Sequence, residues 1–235
     1  MKRHILIVSV ILTALLAASC SVYHPQMVDV PLLHHKGDGH VDLGMSMQWL
    51  GVPTSAEWNL SASYAPTDWL ALQAAGVYDM SKTGFAQAAV GSYLPWENFV
   101  IEGYIGGGAG YAYSGTKAED NGDEYVEGSY SMAFAQFDLG WVSLLSGHLD
   151  FGAGIKGGFL FPSFTDYGKV SNMQRSTQRY NDPHTFFEPQ VMLRVGGEHL
   201  KVVGRLALTE VFYKGDAAQF VYSPVGISLG LNYRF

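Results

Sequence analysis

The sequence predicts an all-β chain closed into an antiparallel up-and-down transmembrane β-barrel of about ten strands, with eight as the alternative count. Three observations predict it. From His40 onward apolar residues alternate with polar or small ones in segments of about ten residues, the period-two signal of a strand with one face in lipid. The connections between segments alternate between short and long. Aromatic residues gather at the segment ends, where amphipathic rings suit a membrane–water boundary.

Before the first strand the chain reads as two further elements. Lys2, Arg3 and His4 precede ILIVSVILTALLAAS, an uncharged apolar run of roughly fifteen residues closing on small side chains. That run is shorter than the roughly twenty residues a spanning helix needs, so residues 1–19 are expected to be a secretory signal peptide rather than an anchor. Residues 20–39 hold two prolines, two glycines and no sustained period, and read as a flexible linker leading to a barrel over 40–235.

The strands follow in order. Val41, Leu43, Met45, Met47 and Trp49 share one face of the first, with His40, Asp42, Gly44, Ser46 and Gln48 on the other. Trp58, Leu60, Ala62 and Tyr64 alternate with Glu57, Asn59, Ser61 and Ser63. The run from Phe99 to Tyr111 alternates likewise, and Leu149, Phe151, Ala153, Ile155 and Phe159 stand opposite Asp150, Gly152, Gly154, Lys156 and Gly158. Many inward positions are Gly or Ser, as the crowded interior of a narrow barrel requires. Residues 70–78 and 130–141 are apolar on both faces and alternate less clearly.

Short connections fall at 66–68, 95–98, 144–148 and 196–199; longer or more polar ones fall at 51–56, 80–84, 114–124, 162–185 and 213–219. The expected girdles include Trp58, Tyr78, Phe85, Phe161 and Phe187 beside the long loops, and Tyr64, Trp69, Trp96, Trp141, Tyr233 and Phe235 beside the short turns. The last segment, VGISLGLNYRF, places Val225, Ile227, Leu229, Leu231, Tyr233 and Phe235 towards lipid and is expected to close against the first strand.

Two stretches carry a family resemblance. LLAAS followed by Cys20, the only cysteine, resembles the lipobox of bacterial lipoproteins, with Ala17 where Leu is commonest. The resemblance implies cleavage before Cys20 and acylation there, two or more chains giving stable anchoring. The alternating pattern over residues 40–235 is similar to small outer-membrane β-barrel proteins of Gram-negative bacteria. Within it Ile227, Leu229, Leu231, Tyr233 and Phe235 resemble the signal by which barrel-assembly machinery takes up its substrates. A barrel that also carries a lipobox departs from the commoner members.

Chemistry is sparser. Inward-facing charges are expected at Glu57, Glu102, Asp150, Lys156, Glu188, Arg194 and Arg205, together with Asp42, Asp138, Lys201 and Arg234, and in so narrow a lumen they should pair into a salt-bridged network. HHKGDGH, residues 34–40, groups metal-ligand types without a recognised zinc spacing, and EDNGDE at 119–124 lacks the spacing of a calcium loop, so neither a metal nor a cofactor is expected. His184 near Asp182 is the one acid–base candidate beside a long loop, and the rim is where barrel proteases and lipid-modifying barrels do their chemistry. Lys169, Arg175 and Arg179, interleaved with aromatics in the longest loop, suit lipopolysaccharide phosphates, glycans or an envelope protein partner.

The formal charge is −7, and more negative without Lys2 and Arg3, so binding to nucleic acid is not expected. These readings combine into a lipid-anchored outer-membrane barrel with a structural or partner-binding role. A narrow channel and a lipid- or peptide-directed enzyme are the alternatives.

Overall fold

The computed structural model describes residues 29–49, 57–79, 83–116, 124–171, 174–212, 222 and 224–235. They form twelve strands: β1 (Gly39–Trp49), β2 (Glu57–Tyr64), β3 (Leu70–Asp79), β4 (Gly84–Trp96), β5 (Phe99–Thr116), β6 (Glu124–Ser143), β7 (Leu149–Ser171), β8 (Gln174–Tyr180), β9 (His184–Gly196), β10 (Leu200–Leu208), β11 (Glu210–Phe212) and β12 (Val225–Arg234). Ten of them are the staves of a closed antiparallel up-and-down barrel, in which each of β1 to β7 pairs with its sequence neighbour and β7, β9, β10, β12 and β1 complete the ring. β11 prolongs β10 along β9 after a break at Thr209, and β8 pairs only with the outer part of β7.

Closure lies where the sequence puts it. β12 pairs with β1 from His40↔Arg234 to Trp49↔Val225. Beyond this register the Gly39 N–H donates to the Phe235 carbonyl at 3.1 Å and the Phe235 N–H donates to Gly39 at 2.9 Å. Neither β1 nor β12 is left with a free edge along this seam, which is what permits an apolar last strand.

Every stave obeys the alternation. Outward positions are large and exposed, as at Leu229 (65%), Trp69 (63%) and Trp96 (75%), while inward Ser61, Gln73, Gln136 and Asn232 are buried. Trp58, Tyr78, Phe159 and Phe187 circle one end of the apolar belt; Tyr64, Trp69, Trp96, Trp141, Tyr233 and Phe235 circle the other. Phe85 departs from the expected girdle: it points inward and stacks on Tyr130 with ring centroids 5.1 Å apart.

Two further expectations are corrected. Much of the segment 162–185, read as a loop, is the outer half of β7 and the arm β8 folded back on it. Here Phe164 and Asp166 continue the inward set, and Thr165 and Tyr167 the outward one. Above a membrane a strand needs no apolar outer face, so its polarity conceals it. β5, β6, β7 and β8 thus rise together as one tall wall. Within the segment composed like a free linker, residues 29–33 instead enter the lumen: Asp29, Val30, Leu32 and Leu33 are all buried, while His35, Lys36 and Gly37 are exposed at its mouth.

Candidate functional site: the plugged lumen and its mouth

The inserted segment is held by groups from nearly the whole ring. The Asp29 carboxylate accepts hydrogen bonds from His40 Nε2 (2.8 Å), Ser63 Oγ (3.0 Å), and Arg194 and Arg205 (3.2 Å each). Its carbonyl accepts from Gln73 (3.3 Å) and Gln136 (2.8 Å), and the Pro31 carbonyl accepts from Arg194 (3.1 Å). Pro31 brings no N–H to satisfy, and Leu32, at φ 58°, sits in the left-handed region that a leucine adopts only under constraint. That turn aims two successive amides at one acid: Leu32 and Leu33 N–H donate to the two oxygens of Glu102 at 2.9 and 2.7 Å.

Apolar complementarity comes from glycine. A Cβ on Gly140 would lie 2.8 Å from a Leu32 methyl, one on Gly152 2.8 Å from a Val30 methyl, and one on Gly154 3.2 Å from the other Val30 methyl. The wall made by β6 and β7 is therefore hollowed to the shape of the plug.

Of the sequence-predicted lumen residues, Arg194 and Arg205 converge with His40 and Asp42 around Asp29, and Asp42 also bonds Arg205 and Asn232. Asp29, His40 and Asp42 are the one group among the described residues whose metal-ligating atoms already lie within 4.8 Å of one another. Two guanidiniums share those carboxylates, so the charge is balanced without an ion. Asp150 pairs with Lys201 at 2.7 Å and accepts the Ser143 N–H. Lys156 pairs with Glu188 between the rings of Phe134 and Phe186. Glu57, higher in the lumen, accepts from Ser46 at 3.3 Å. Asp29, which unites the largest of these clusters, escapes sequence reasoning because nothing local marks it as inward.

Elsewhere, Ile227, Leu229, Leu231, Tyr233 and Phe235 all project outward from the seam. Cys20 lies outside the described residues, as do the side chains of Lys169 and Arg175. Arg179 is exposed on β8 opposite Thr165. Beside it on the outer surface of the tall wall run Tyr113, Tyr125 and Tyr167, stacked at 5.7 and 4.6 Å. His184 is buried opposite Leu160 in the ring, whereas Asp182 is exposed beyond the strand.

Below the plug, the short-turn mouth holds a cavity of about 720 Å³ lined by residues of several turns, including His34, His35, Asp38, His148, Glu198 and His199. Burial pulls the His34 imidazole below its usual pKa, with His35 adding to the effect. Burial alone would push Asp38 upward; the N–H groups of His34 and His35 and the Arg234 guanidinium hold it below the ordinary carboxylate value instead.

A closed ten-strand barrel with an apolar exterior belt is the fold of outer-membrane β-barrel proteins. Solved structures share it. The outer-membrane protease OmpT from Escherichia coli superposes with a TM-score of 0.63 at 11% identity, covering 89% of this chain and 99% of that one. OprG from Pseudomonas aeruginosa (TM-score 0.40, 12% identity, 86% and 97% covered) and the KdgM porin (0.40, 11%, 83% and 99%) are also similar. No protein-family model and no curated protein sequence matches the chain.

Proposed function

We propose that this chain is a lipid-anchored barrel of the bacterial outer membrane, closed by its own N-terminal segment and serving a structural or partner-binding role in the envelope. The plug carries the reading. Val30, Leu32 and Leu33 fill the lower lumen, and six buried side chains besides Glu102 grip Asp29 and Pro31, an investment suited to closure rather than transport. OmpT is a protease, and an enzyme reading here would centre on the His184 rim; burial of His184 and the outward exposure of Asp182 favour the interaction role. Contact with lipopolysaccharide or an envelope protein would fall on the tall wall, where the stacked tyrosines and Arg179 face outward. The mouth with the short turns would face the periplasm.

The test is conductance of the full-length protein in a planar bilayer. A closed barrel gives no stepwise current. Steady unitary steps from protein that still migrates faster unboiled than boiled would replace this reading with the channel. Acyl labelling of wild type but not of Cys20→Ala is expected for the anchor.

A further inference from the structure

We infer that the short-turn mouth holds a site for a divalent transition metal of the zinc class, built on His34, His148 and His199. The three imidazoles come from separate parts of the chain, and two of them are oriented by backbone carbonyls. His148 Nδ1 bonds the Gly196 carbonyl at 2.9 Å, and His199 Nδ1 bonds the Arg234 carbonyl at 3.1 Å. A carbonyl only accepts, so in both rings Nδ1 carries a proton, and in the neutral imidazole Nε2 then keeps its lone pair. His34 contributes a different feature: its Nδ1 is buried with no hydrogen-bond partner. Carbonyl-anchored imidazoles with the second nitrogen free are the form in which histidine binds metals.

All three line the same cavity, and the surrounding charges do not oppose a cation. Lys201 and Arg234, the nearby bases, are engaged by Asp150 and Asp38. Glu198, next to His199, adds a carboxylate to the lining. Imidazole nitrogens with an oxygen donor suit zinc, copper or nickel rather than calcium or magnesium. The three nitrogens are not gathered as tightly as Asp29, His40 and Asp42, so binding must draw them together, and an affinity on the order of micromolar is expected. Since His34 directly follows the inserted residues 29–33, a bound ion would tie the plug to the turns after β6 and β9.

The experiment uses full-length protein purified in detergent through an affinity tag free of histidine, with Zn²⁺ alone as the probe. One Zn²⁺ per chain should compete with a chromogenic chelator. Each of His34→Ala, His148→Ala and His199→Ala should weaken binding at least tenfold, while His184→Ala at the opposite end leaves it unchanged. Zn²⁺ should also slow hydrogen exchange at residues 34–38 in the wild type. No stoichiometric binding at 100-fold excess over the expected constant, or equal binding by the His148→Ala/His199→Ala double variant, overturns the site. If a variant loses its heat-modifiable migration, Cu²⁺ electron spin-echo spectra of the wild type decide instead: two or more coordinated imidazoles support the site, and one or none refutes it.

Discussion

Replacing Asp29 by alanine should release the plug and leave the barrel standing. Three apolar side chains, Val30, Leu32 and Leu33, are buried in the docked segment, worth about 1.5–3 kcal/mol each. Ordering five residues costs roughly 1–2 kcal/mol apiece. Those terms nearly cancel, so docking turns on the polar anchor. Without Asp29, Arg194 and Arg205 are left with Asp42 as their one remaining carboxylate contact among the described residues, and removing one partner from a buried ion pair costs about 3–5 kcal/mol. At about 1.4 kcal/mol per factor of ten, the docking equilibrium should shift by two to nearly four decades.

Native-state hydrogen exchange reads this directly, because the Leu32 and Leu33 amides are protected by the Glu102 carboxylate. In Asp29→Ala they should exchange at least a hundredfold faster, while amides of the β1–β12 seam keep their wild-type protection. Asp29→Asn, which keeps an acceptor oxygen but not the charge, should fall between. Unchanged protection at Leu32 and Leu33 would show that charge is not what holds the plug. An equal loss at the seam would show that the plug is no separate unit.

Two further outcomes follow from buried and rim charges. Lys156→Met removes the ammonium that pairs with the buried Glu188 carboxylate and should cost about 3–5 kcal/mol, whereas Lys156→Met combined with Glu188→Leu should return to within about 1 kcal/mol of wild type; urea unfolding in micelles measures both, and a single variant as stable as the double would contradict it. Asp38 has its folded-state pKa depressed, so the stability it lends is present above the unfolded value of about 3.9 and is lost as pH falls through the folded value. Exchange at the His34 and His35 amides, corrected for intrinsic rates, should therefore rise steeply below about 4, beyond a gentler rise below about 6.5 that the lowered His34 pKa adds, and Asp38→Asn should abolish the steep phase.

The alternation made the staves legible because lipid imposes it: every second residue from Val41 to Met47, or from Ile227 to Phe235, must tolerate hydrocarbon, whatever its neighbours are. The charges at Arg194, Arg205, Lys156 and Glu188 were legible as inward for the same reason. The plug was not, since what buries Leu32 is a hollow at Gly140 and Gly152 and an acid at position 102, all far along the chain. The arm β8 was missed because water exerts no such demand above the membrane. The histidine mouth was missed because its members sit in separate turns, and only the order of staves brings 148 beside 196 and 199 beside 234.

The plug also gives the molecule two interiors. Outside, its apolar surface is completed by whatever surrounds it. Inside, Val30, Leu32 and Leu33 meet Met192 and the glycine wall in a core the chain supplies itself, as a water-soluble domain would. A barrel with such a private core owes part of its rigidity to no lipid, so moving it between hosts of different thickness should strain the belt and leave the lower lumen unchanged.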